Sequence, residues 1–177
     1  CDILFSGNVP QGAGLSSSAA LEISTAKGIQ KLYNISMTPI SLAKIGQKAE
    51  HNMVGVKCGI MDQYISVMGK KNSALLIDTR TLKSEYIQLN LNTSKIIITN
   101  SNVPHKLSNS LYNQRVSECE KAVRLMAKNQ ENIYLRDFDL EDFKKYEKKL
   151  PEKIRKRAFH VISENERVLK ATEALRK

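Results

Sequence analysis

The run Pro10-Gln11-Gly12-Ala13-Gly14-Leu15-Ser16-Ser17-Ser18-Ala19-Ala20 restricts this chain more than any other stretch. Gly12 and Gly14 carry no Cβ, so the backbone there can take positive φ or come close to a ligand. From Leu15 to Tyr33 the pattern is helical: Ala19, Ile23, Ala26, Ile29 and Tyr33 recur at helix spacing, and Ser16 to Ser18 are expected to cap its start. The short apolar run Ile3 to Ser6 before the loop reads as a strand. A strand, a glycine loop and a helix in that order aim the free amides and the positive dipole end of the helix at whatever the loop holds. Three serine hydroxyls add donors and a metal ligand. This is chemistry for a triphosphate. It is not the GxxxxGK[ST] loop, because it has no lysine. A flexible turn with serine caps would explain the glycines and serines alone, but not the regular elements expected around them.

Further along, Leu42, Ile45, Ala49 and Met53 mark a second helix over about 41–53, and a third, over 60–68, is closed by Gly69. The texture then changes. Residues 74–77, 86–89 and 96–99 read as three strands, the Ile96-Ile97-Ile98 run suggesting a central one. After Pro104 the pattern is helical again. Leu107, Leu111, Val116, Cys119, Val123 and Met126 mark a long helix, and a shorter one follows at about 140–149. A third begins at Pro151, with Ile154, Ala158, Val161, Val168, Ala171 and Leu175 on one stripe.

A chain of 177 residues with 41% hydrophobic content can bury a sizeable core, and no run reaches the ~18 apolar residues that argue for a membrane span. Cys1, Cys58 and Cys119 form no CxxC pair, which fits a reducing cytoplasm, and His51, His105 and His160 fall into no zinc spacing. The net charge of +10 is concentrated between Lys144 and Arg157. With Tyr146 the single aromatic among those basic residues there is no interleaved stacking platform, so the run reads as a solvated helix face and no nucleic-acid partner is expected.

Three polar residues have ordinary readings of their own. Asp62 opens a short helix, where an aspartate commonly does no more than complement the dipole. Glu50 is mid-helix, where most glutamates are solvated, and Tyr112 on a helix is by default a packing residue.

Pro10 to Ala20 resembles the second signature motif of the GHMP kinase superfamily, PxGxGLSSSA, which wraps the ATP phosphates. Gly55-Val56-Lys57-Cys58-Gly59-Ile60-Met61-Asp62-Gln63, continuing to Leu82, is similar to galactokinases in particular. So are Thr99-Asn100-Ser101-Asn102-Val103 and Tyr112-Asn113-Gln114-Arg115. The similarity runs in order over nearly the whole chain and weakens after about residue 130. It implies an α+β, two-lobed GHMP kinase-like fold. Residues 1–72 would be the C-terminal part of the ATP-binding, ribosomal-protein-like lobe, and residues 73–177 an incomplete second lobe.

The implied activity is transfer of the γ-phosphoryl group of MgATP to the anomeric hydroxyl of galactose. The resemblance puts Gly12, Ala13, Gly14, Leu15, Ser16, Ser17 and Ser18 around ATP, and Ser17 and Glu50 on Mg²⁺. It makes Asp62 the catalytic carboxylate and sets Gly59, Asp62 and Tyr112 against the sugar. Aspartates are weak bases near neutral pH, so orientation of the hydroxyl matters as much as deprotonation. Two elements of the family, an N-terminal segment of Gly-Arg-Val-Asn-Leu-Ile-Gly-Glu-His type and a glycine-rich third motif, do not occur in these residues. The 177 residues alone are therefore expected to be inactive. Rival expectations are another sugar-1-kinase, such as an N-acetylgalactosamine kinase, a non-catalytic galactose sensor, and a basic RNA-binding module. The intact Ser16-Ser17-Ser18-Ala19-Ala20 favours the kinase over the sensor.

Overall fold

The computed structural model describes residues 1–102, 109–128 and 130–177. They form two compact units, residues 1–107 and 108–177.

In the first unit the expected helices are present: α1 (Ser17–Leu32), α2 (Pro39–Ala49) and α3 (Met61–Met68). Thr38 caps α2, its Oγ1 accepting from the Ser41 amide at 3.1 Å. Beyond Ala49 the chain does not stop but widens into a π turn, Glu50–Val54, closed by Gly55 at φ 78°. The three helices pack on one another, burying Ala19 and Ile23 of α1, Leu42, Ala43 and Gly46 of α2, and Gln63 and Tyr64 of α3. Strands β1 (Ser73–Ile77) and β2 (Ser84–Gln88) pair antiparallel, Leu75 opposite Tyr86, and lay Leu75, Ile77 and Leu82 against the Ala43–Ile60–Tyr64 core. Tyr86 Oη donates to the Met68 carbonyl at 2.6 Å and Tyr64 Oη to that of Leu82 at 2.9 Å, so the hairpin is fastened to α3 at both ends.

Two expected strands are absent. Residues 1–8 have no regular structure, and residues 95–100 likewise, with Ile96, Ile97 and Ile98 at 68%, 85% and 67% exposure. A β-branched run supplies propensity, but a strand also needs a neighbour for its backbone groups, and none of the described residues pairs with either segment. The capping expectation also fails. Ser16 is the N-cap of α1, in the left-handed region at φ 55°, and its side chain makes no capping hydrogen bond.

The second unit consists of α4 (Asn109–Ala127), α5 (Leu140–Tyr146) and α6 (Glu152–Arg176), with short 3₁₀ turns at 135–137 and 147–149. Pro151 stands one residue before α6, as its N-cap. Ala122, Met126, Phe143, Ile154, Ala158 and Ile162 form the centre of the core. Beside it Glu118, 7% exposed, accepts from Arg157 Nε at 2.7 Å and from Gln114 Nε2 at 2.9 Å, and pairs with Lys153 at 3.0 Å. Two cations of the basic run are thus taken up by one carboxylate. Lys145 and Lys156 form exposed pairs with Asp142 and Glu152.

The Arg157 hydrogen bond, then that of Lys153, lowers the Glu118 carboxyl to about 2 from an ordinary value of 4.5. A depressed folded-state value stabilises the fold above about 4.5 and ceases to do so as pH falls toward 2. Thermal unfolding followed from pH 6 to pH 2 is therefore expected to show acid destabilisation across that window. In Glu118→Gln the curve should be flatter and lower at neutral pH. A Gln variant with an unchanged acid limb would place the sensitivity elsewhere.

Candidate functional site

The glycine-serine loop is open. Gly12 and Gly14 have φ of 69° and 73°, and Ser16 follows at 55°, so positive φ recurs at alternate positions and turns the backbone sharply into α1. Nothing among the described residues stands within 4 Å of a Cβ built at Gly12 or Gly14. These glycines serve the backbone conformation and leave free space beside it. The Ser16 carbonyl accepts the first helical bond, from the Ala20 amide at 3.0 Å. Ser16, Ser17 and Ser18 are half-buried at the start of α1, whose opening amides have no side-chain cap.

Behind α1 lies a cluster of carboxylates. Glu50 begins the π turn and is only 4% exposed, contrary to the solvated default. Glu22, one turn into α1, accepts a hydrogen bond from Gln63 Nε2 at 3.2 Å. Burial pushes the Glu22 carboxyl above the ordinary range. The Gln63 hydrogen bond opposes this, while the charge of Glu50 and a side-chain hydrogen bond with it push further up. Cys58 feels the same neighbourhood: burial first, then the charges of Glu50 and Glu22, and lastly Asp62, raise its thiol. Glu22, Glu50 and Asp62, from three helical segments, thus all act on the Cys58 thiol. None of the described His, Cys, Asp and Glu side chains form a group of three able to hold a metal ion.

Asp62 occupies the first turn of α3 and is half-buried, its carbonyl accepting from Ser66 Oγ at 2.7 Å. The segment leading to it is held at Cys58, whose carbonyl accepts from His51 Nε2 at 2.8 Å and Gln47 Nε2 at 3.1 Å. Gly59, next in the chain, is exposed and borders an open cleft of about 350 Å³ lined also by Lys44, Gln47, Thr79 and Arg80. Tyr112 belongs to the second unit, on α4, and is 40% exposed, so it is not the packing residue its helical setting suggests.

Sequence reasoning passed over Glu22 and Gln63. A signal was present: Glu22 falls three residues after Ala19 and next to Ile23, on the stripe α1 buries. A carboxylate on an apolar stripe calls for a partner.

Residues 1–70 match the family of GHMP kinases, N-terminal domain. Galactokinases of Thermotoga neapolitana and Fusobacterium nucleatum are 47% and 42% identical over 98% and 99% of this chain. The chain spans about half the length of these curated relatives, 47% and 46% respectively. The crystal structure of Lactococcus lactis galactokinase complexed with galactose superposes with a TM-score of 0.89 at 34% identity, covering 96% of this chain and 44% of that one.

Proposed function

We propose, from the match of residues 1–70 to the N-terminal domain of GHMP kinases, that the whole protein phosphorylates galactose at its anomeric hydroxyl at the expense of ATP. The observation that carries this reading is the Pro10–Ala20 loop, with positive φ at 12, 14 and 16, entering a helix without a side-chain cap in a chain similar to galactokinases.

In this reading Gly12 to Ser18 receive the ATP phosphates, which take the backbone amides left free at the start of α1. The donor set suits Mg²⁺ better than an all-protein metal cage: one buried carboxylate, Glu50, and one hydroxyl, Ser17, leave room for phosphate oxygens and water. Bound there, the ion would neutralise charge on the phosphates. Asp62 takes the reacting hydroxyl of the sugar, orienting it and receiving its proton, while the Gly59 backbone holds the ring. Positioning and charge neutralisation then supply most of the rate, as in phosphoryl transfer generally. Residues 1–72 serve as the ATP-binding lobe and the following chain as part of the second. The free thiols of Cys1, Cys58 and Cys119 suit a cytoplasmic protein, and no described helix is long and apolar enough to cross a membrane.

The direct test is an ATP-dependent phosphorylation assay of the full-length protein against galactose, N-acetylgalactosamine, glucose and arabinose. Preference for galactose is expected, and turnover of none of the four would remove the reading. A sharper test concerns the metal. Glu50→Gln in the full-length protein should raise the half-saturating Mg²⁺ concentration at fixed ATP. An unchanged metal titration would make the burial of Glu50 a matter of packing alone.

A further inference from the structure

We propose that Glu22 is a positioning residue for the reaction, bracing through Gln63 the turn that carries Asp62 and packing against α2 at Gly46, four residues before the proposed metal ligand Glu50. The inference rests on the phosphoryl-transfer reading above and adds to it a residue that none of the signature motifs assigns.

Gln63 is 2% exposed and follows Asp62 directly in the chain. Its Nε2 donates across 41 residues to Glu22 Oε2. Its Oε1 is buried and has no hydrogen-bond partner among the described residues. Leaving a buried amide half-satisfied is costly, and an apolar pair of similar size would close the same junction without that cost. The orientation is not arbitrary. Turning the amide over would set Oε1 against the Glu22 carboxyl oxygen, so Glu22 decides which way the Gln63 side chain faces.

α2 reaches the same point through Gly46. A Cβ there would stand 2.9 Å from Gln63 Cγ and 3.2 Å from both Glu22 Oε2 and Ile23 Cδ1. α2 thus comes within backbone distance of the Gln63–Glu22 bond, and four residues later the chain delivers Glu50 at the start of the π turn. Glu22 consequently touches the segments bearing two proposed functional carboxylates, from a helix whose own start is the phosphate loop. A rigid junction of this kind matters because small misplacements of reacting groups are expensive in rate.

The test uses the full-length protein and two variants. Glu22→Ala removes the acceptor, and Glu22→Gln keeps an oxygen for Gln63. In Glu22→Ala, with melting temperature near wild type, kcat should fall about tenfold or more while the KM for the sugar stays within about twofold. The half-saturating Mg²⁺ concentration should rise. Amide hydrogen exchange should quicken in residues 50–63 and not across the rest of the chain. Glu22→Gln should recover most of these losses. Wild-type exchange and metal dependence in Glu22→Ala would overturn the brace. So would a Glu22→Gln variant as impaired as Glu22→Ala, since charge and not the hydrogen bond would then be the agent. If the wild-type protein phosphorylates no sugar, the phosphoryl-transfer reading fails. The exchange measurement still decides the brace: faster exchange confined to 50–63 supports it, and unchanged exchange overturns it.

Discussion

Asp62→Asn in the full-length protein is expected to leave the fold and MgATP binding intact while phosphoryl transfer falls by at least ~10²-fold, the scale of a positioned acid–base group. The substitution is close to isosteric, and the structure gives it little to disturb. Asp62 lies half-buried in the first turn of α3, where the packing residues are its neighbours Gln63 and Tyr64. The hydrogen bond at this position, from Ser66 Oγ, goes to the backbone carbonyl of Asp62 and survives the change. Loss of a carboxylate near a helix N-terminus also costs only ~0.3–1 kcal/mol of dipole interaction, too little to unfold a domain. A large drop in turnover with an unchanged melting curve would therefore report chemistry. Turnover near the wild-type value would return Asp62 to the role its position alone suggests, a charge at a helix start.

Sequence alone made the helices legible as elements, because apolar residues at 3.6-residue spacing mark them, but their buried faces only in part: Leu42, Ile154 and Ala158 are buried where the periodicity puts them, whereas Ile45, Met53, Val168 and Leu175 of the same stripes are exposed. Strands were less legible. Ser73–Ile77 and Ser84–Gln88 form a hairpin because Asp78 Oδ1 accepts from the amides of Arg80 and Thr81 and turns the chain between them. Ile96 to Ile98 have higher propensity but no partner strand among the described residues, and pairing is a property of the neighbour as much as of the run. The site divides in the same way. Loop, Glu50 and Asp62 stand in motifs and could be named, whereas the π turn that starts at Glu50, the left-handed Ser16 and the Glu22–Gln63 bond depend on contacts far apart in the chain. Burial of Glu50 was hidden for the same reason. A mid-helix glutamate reads as solvated until the helices that cover it are known.

Gly14→Val should weaken MgATP binding by about tenfold or more while leaving the affinity for free galactose near its wild-type value. Gly14 sits at φ 73°, a region a β-branched residue adopts only at a cost of ~1–3 kcal/mol. Steric conflict adds nothing to that cost, since no described atom lies within 4 Å of the new Cβ. With nothing packed against it to enforce the strained conformation, the loop would relax toward negative φ and swing its amides away from their present direction. Fold stability should change little, because the core of this unit is built from Ala19, Ile23, Leu42, Ala43 and Tyr64 and does not include the loop. The sugar, held in the proposed site by Gly59 and Asp62, should not register the change. Calorimetry of the full-length variant with each ligand separates the cases. Selective loss of MgATP binding supports the phosphate loop, equal loss of both ligands would mean general disruption, and undiminished binding of MgATP would remove the loop from the site.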